Sequence, residues 1–140
     1  MHTERALELN PSDSEALYRR GEALLNIGRV DEAIGPLESA RRFEPQAVRI
    51  SLVIAYFHAG RNRDSVALAD SLLARAPDHV ALNVMRAAAL AELGDLDRAR
   101  LAAEQVRRYS PNFQVENWGD RRGKPEYIVR LHAAMRKAGL

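Results

Sequence analysis

The sequence predicts an all-α chain, an array of helix–turn–helix units, and three observations predict it. First, Pro11, Pro45, Pro77 and Pro111 are separated by 34, 32 and 34 residues. Second, each interval repeats its landmarks: a glycine seventeen residues before the closing proline (Gly28, Gly60, Gly94) and a small residue twelve before it (Ala33, Ser65, Ala99). Third, alanine, leucine and arginine dominate while aromatic residues make up only 6%, a composition that favours helix. Internal periods of this length mark repeat architectures, and 140 residues suit a compact array of small units.

The chain opens on "ERALELNPSD" (4–13), in which Ala6, Leu7 and Leu9 suggest a helix that Pro11 ends. Residues 1–11 therefore read as the truncated second helix of a preceding repeat, expected to fray, swap or pair with another copy. Unit 1 spans 12–45. Ser12 and Glu15 have the spacing of a capping box, Leu17, Leu24 and Ile27 recur at helical spacing, and Gly28 closes the first helix. Asp31 lies where the second helix begins, favoured there by the helix dipole, and the helix runs to about Phe43. Gly35-Pro36 falls inside it and predicts a kink or an irregular first turn.

Unit 2 spans 46–77 and is two residues short, the deletion falling in the turn after Pro45. Its helices are divided by Gly60, and Asp64 opens the second, which runs to about Arg75. Unit 3 spans 78–111, divided by Gly94, with Asp95 or Asp97 opening a helix to about Tyr109. Small residues at Gly21, Val53 and Ala87, and at Ala33, Ser65 and Ala99, permit close helix–helix approach. Ala40, Leu72 and Val106 lie near the contact with the following unit. Residues 112–124, with the turn-rich "NWGDRRGK", read as a loop. Residues 125–140 read as a capping helix with Pro125 at its first position. Tyr127, Ile128, Leu131, Ala134, Met135 and Ala138 form its apolar face, and Arg130, Arg136 and Lys137 its polar one.

Together Gly21, Gly28, Ala33, Leu37, Ala40 and Pro45 resemble the small, large and proline positions of the tetratricopeptide repeat, and the resemblance covers residues 1–111. Leu17 stands where tryptophan or another large residue is usual, Arg20 where an aliphatic is, and Val53 where glycine or alanine is preferred. The closing "LHAAMRKAGL", with repeats in the style of "AYFHAGRNRDSVALA", resembles the C-terminal tetratricopeptide region of bacterial adenylate/guanylate cyclase-like signalling proteins. That resemblance implies a regulatory segment of a larger cytoplasmic protein, with any catalytic domain elsewhere.

The residues argue against an enzyme. There is no cysteine, so disulfides, thiolate metal sites and thiol catalysis are excluded. His2, His58, His79 and His132 show no metal-ligand spacing, and the glycine pairs of "GRVDEAIG" lack the lysine and strand of a phosphate loop. No cofactor or metal is expected. A net charge of +2 from 21 basic and 19 acidic residues gives no strong field. The pairs Arg41-Arg42, Arg107-Arg108 and Arg121-Arg122 suit helix C-termini or a loop better than a nucleic-acid stripe. "LVIAYF" (52–57) is too short to span a bilayer and "MHTERALELN" has no apolar signal core, so a cytoplasmic location is expected.

In tetratricopeptide arrays the first helices line an inner groove that often holds a peptide. Carried across, the resemblance puts Glu15, Tyr18, Glu22 and Leu25 on that face in unit 1. It puts Ala47, Ile50, Ile54 and Phe57 there in unit 2, and Ala81, Val84, Ala88 and Ala91 in unit 3. Tyr18, Glu22, Leu25, Ile50, Ile54, Phe57 and Val84 are the candidate binding residues: an apolar middle with acid and tyrosine at one end. The expected occupant is a protein or peptide partner. The alternative is that the chain's own tail or a second copy, in a homodimer, covers the groove. Chaperone-binding relatives grip a C-terminal carboxylate with Lys and Asn; here those places hold Tyr18, Glu22, Ser51, Ala81 and Met85, which argues against that ligand.

Overall fold

Glycine at the end of each first helix lets the chain turn back on itself. Gly28, Gly60 and Gly94 adopt φ of +82°, +79° and +82°, the left-handed conformation that closes a helix without a Cβ penalty. The computed structural model describes residues 13–119 and 124–140. Among these, seven α-helices follow in order: α1 (Asp13–Asn26), α2 (Val30–Phe43), α3 (Ser51–His58), α4 (Asn62–Leu73), α5 (Val80–Glu92), α6 (Leu96–Tyr109) and α7 (Pro125–Lys137). A single 3-10 turn, Val115–Asn117, interrupts the loop before α7. Each helix packs on the next from α1 to α6, and the first helices also touch across units, α1 on α3 and α3 on α5, giving an all-α repeat solenoid.

The core divides within α3. Leu52, Ala55 and Tyr56 join Leu17, Tyr18, Ala33, Leu37 and Ala40 of unit 1. Val53 and Phe57, on the other side of the same helix, join Leu72, Leu82, Met85 and Val106 of the later units. A buried helix shared by two clusters is how a solenoid couples neighbouring repeats. The small positions do what close approach requires: Gly21 lies against Leu37, and Ser65 Oγ donates to the carbonyl of Val53 at 2.9 Å.

Several expectations change. Of the kink or irregular first turn expected at Gly35-Pro36, the irregular turn is absent: α2 is helical from Val30 through Phe43. Proline removes the bond that would reach the Glu32 carbonyl, and Glu32 is exposed, where water can replace it. α3 begins only at Ser51, so Ala47 lies in the preceding loop and not on a helix; Ser51 turns its hydroxyl to Glu22 (2.6 Å) and does not cap. Ser12, residues 1–11 and the Arg121-Arg122 pair lie outside the described residues, while Glu15 pairs with Arg49 at 2.5 Å. Asp95 caps α6 by accepting from the Arg98 amide (3.4 Å), and His79 caps α5 through Nδ1 to the Leu82 amide (3.2 Å). Asp31 and Asp64 sit in the first turns of α2 and α4, where Arg29 and Arg61 hold the cap positions.

Candidate functional site

The inner face of the first helices is where the C-terminal segment lies. α7 packs chiefly on α5, with Leu131, Ala134, Met135 and Ala138 buried in the main core. Its N-terminal part reaches across to unit 1, where the Tyr127 hydroxyl donates to the Gly28 carbonyl at 3.1 Å. Beyond its C-terminal end, Arg107 of α6 donates to the Gly139 carbonyl at 2.5 Å. The tail thus spans the array from its first turn to its last second helix, and does more than cover one end.

Polar side chains fix this placement. Arg130, read from sequence as part of the polar exterior, turns inward. Its Nε donates to Glu92 at 2.7 Å, its Nη1 to the His58 carbonyl at 3.4 Å, and its guanidinium sits 4.5 Å from the Phe57 ring centroid. Tyr127 stacks on His58 with centroids 4.6 Å apart and planes 18° off parallel. His132 is buried and donates Nε2–H to the Trp118 carbonyl at 2.7 Å, which ties the preceding loop to the helix. Burial first, and then the guanidinium of Arg130, push the His58 imidazole down to about 4.

Between the tail and the first helices remains a cavity of about 280 Å³. Leu25, Ile50, Ile54, Ala81 and Met85 line it from the repeats, and Trp118, Tyr127, Ile128 and Leu131 from the tail. Of the seven residues singled out by sequence, these walls bring together Leu25, Ile50 and Ile54. Phe57 and Val84 have no exposed surface and lie beneath the face, the former under Arg130. Tyr18 is 3% exposed and is covered by Arg49, whose guanidinium carbon stands 3.9 Å from its ring centroid; burial raises its phenol pKa. Glu22 is half-buried and bonded to Ser51, away from the cavity lining.

Met85 was among the inner positions named from the resemblance, whereas sequence reasoning missed Arg49, His58, Trp118 and Tyr127 as parts of this face. Only the apolar spacing of Tyr127 and the aromatics of the loop carried a signal. No group of three or more His, Asp or Glu among the described residues could hold a metal ion. No helix among them is long and apolar enough to cross a membrane. Of the arginine pairs, Arg107 is engaged by the tail and Arg42 donates to Ser39 at 2.9 Å.

Two family models described as tetratricopeptide repeat match the chain, one over residues 2–35 and one over residues 50–112, together more than half of its length. No curated protein matches it.

Proposed function

The chain belongs to the tetratricopeptide-repeat family, whose arrays are protein-interaction modules, and from that premise we propose that its inner face binds an apolar segment of a partner protein. The observation that carries this reading is the apolar cavity of about 280 Å³ walled by Leu25, Ile50, Ile54 and Met85. Its size suits one or two large side chains rather than a whole helix while α7 is in place. The remaining sequence candidates contribute indirectly: Phe57 and Val84 as the packed floor, Tyr18 buried beneath Arg49 and Glu22 bonded to Ser51 beside it. The segment acts without catalysis, as a regulatory or assembly part of a bacterial cyclase-like signalling protein; the closing "RKAGL" supports that setting. A peptide held by its C-terminal carboxylate fits poorly, because the cation nearest Tyr18, Arg49, is engaged by Glu15.

Panning a displayed peptide library against the chain tests the reading. Selected peptides should share apolar anchors and lose binding to Ile54→Glu while its far-UV circular dichroism stays that of the wild type. Peptides that bind Ile54→Glu equally well would refute the groove.

A second reading draws support from α7 itself: the groove is structural, filled by the tail or by the tail of a second copy in a homodimer. Light scattering separates the copies, since a strict monomer at high concentration removes the dimer. Failure to select any apolar peptide, in a monomer, would leave the purely structural role.

A further inference from the structure

His58 lies at the point where α7 meets the repeats, and it is poorly suited to carry a charge there. The ring is held between the edge of Phe57 (centroids 5.4 Å apart, 72°) and the face of Tyr127 (4.6 Å, 18°). Its Nδ1 is sealed from solvent and has no hydrogen-bond partner. The guanidinium of Arg130 adjoins it, donating to its carbonyl. Among the described residues, the charged groups facing the ring from the neighbouring elements are these. Glu92 of α5 is held by Arg130. In the recess on the other side, Glu32 of α2 is held by Arg29, Asp31 is exposed to water, and Lys124 is a further cation beside Tyr127. Among the described residues, no carboxylate is hydrogen-bonded to the imidazole.

We propose that α7 is a lid seated on His58, and that protonating His58 releases the lid from the inner face. In the closed state the ring is kept neutral, its affinity for a proton depressed to about 4 by burial and by Arg130. With α7 lifted, the ring regains water and an ordinary value near 6.5. A base whose affinity is depressed in the closed state binds its proton in the open one. The contribution of His58 to closure is thus complete above pH 6.5 and is lost as pH falls from there toward 4. Between pH 8 and pH 5 the closed-to-open ratio falls by about 30-fold on these values. The release is a property of this chain alone; its role in admitting a partner rests on the groove reading above.

Two measurements on the whole chain test it without any partner. Amide exchange of residues 125–137, corrected for the intrinsic rate, reads the closed-to-open ratio, and fluorescence of Trp118, the sole tryptophan, reads exposure of the cavity wall. Wild type should lose about 30-fold protection in α7 between pH 8 and pH 5, with the amides of α1–α6 unchanged. His58→Phe, which keeps the stacking but cannot titrate, should hold α7 closed at both pH values. His132→Gln should retain the wild-type response, which assigns the titration to His58 rather than to the histidine bonded to Trp118. An equal response in His58→Phe, a response abolished by His132→Gln, loss of protection throughout the array, or no response in wild type would each overturn the lid. A lid that opens on cue while Ile54→Glu leaves peptide capture unchanged would refute the groove and not the lid.

Discussion

The Tyr127 hydroxyl donates to the carbonyl of Gly28, so the tail is anchored on the turn that closes the first helix of the array. That turn needs glycine twice over. Its φ of +82° is left-handed, and a Cβ on Gly28 would lie 2.9 Å from Cγ of Lys124. Gly60 has nearly the same φ with open space around it. Gly28→Ala and Gly60→Ala should therefore both lose about 1–2 kcal/mol of stability in denaturant unfolding, the cost of a Cβ in the left-handed conformation. Only Gly28→Ala should also lower the protection of α7 amides. Equal protection in the two variants would mean that the turn and the tail are not coupled.

Gly21 and Gly35 make opposite forecasts for one substitution. A Cβ on Gly21 would meet Leu37 Cγ at 2.5 Å and Cδ2 at 2.6 Å, where α1 crosses α2. Overpacking of that kind costs about 1–3 kcal/mol, more than the helix propensity of about 1 kcal/mol that alanine adds. Gly35 is exposed and has nothing within 4 Å. Gly35→Ala should raise the melting temperature and Gly21→Ala should lower it, and Leu37→Ala should relieve the second effect. A Gly21→Ala variant as stable as wild type would show that α1 and α2 can part without cost.

The repeats were legible because their signals are local. A glycine at a helix end, a proline at a unit end and small residues at the crossings act within a turn or two of where they stand. The tail was legible as a helix for the same reason, through Pro125 and the spacing of Tyr127, Leu131 and Ala134. Its seat was not. Arg130 reads as a surface cation by its neighbours in sequence, and only its contacts with Glu92 and Phe57, brought close by the fold, turn it inward. Phe57 and Val84 were placed on the inner side by the repeat register that the resemblance carries across, yet that register cannot say which of its positions will be fully buried. Ala47 failed for a local reason instead: the register was extended through residues that carry no cap, and α3 starts four residues later.

Tyr56 of α3 donates its hydroxyl to Glu38 of α2, joining units 1 and 2. Burial first, and then the bond to Glu38, push its phenol up to about 12. A group whose pKa is raised on folding contributes stability that is complete below its unfolded value near 10 and is lost as pH rises through 12. Tyr56→Phe should cost about 1 kcal/mol near neutrality, and that difference should shrink above pH 10. Tyrosinate absorbance should lose a late-ionising step in the variant. A step near 12 that survives Tyr56→Phe would assign the raised phenol to another tyrosine.

Arg130 and Arg136 lie on the same helix, and both reach a glutamate, but their surroundings differ. Arg136 pairs with Glu116 at 3.3 Å, with both side chains more than half exposed. Water and salt screen such a pair, and it is worth about 0–1 kcal/mol. Arg130 combines the bond to Glu92 with the Phe57 ring and the His58 carbonyl on the covered face of the array. A cation over an aromatic ring in partly desolvated surroundings adds about 0.5–2 kcal/mol, so the contacts together should hold the tail about tenfold or more tighter. Arg130→Ala should thus lower α7 protection by at least that factor and Arg136→Ala by twofold or less. Raising the salt concentration should weaken the Arg136 contribution first. Equal effects of the two substitutions would place Arg130 among the ordinary surface cations, as its sequence neighbours alone suggest.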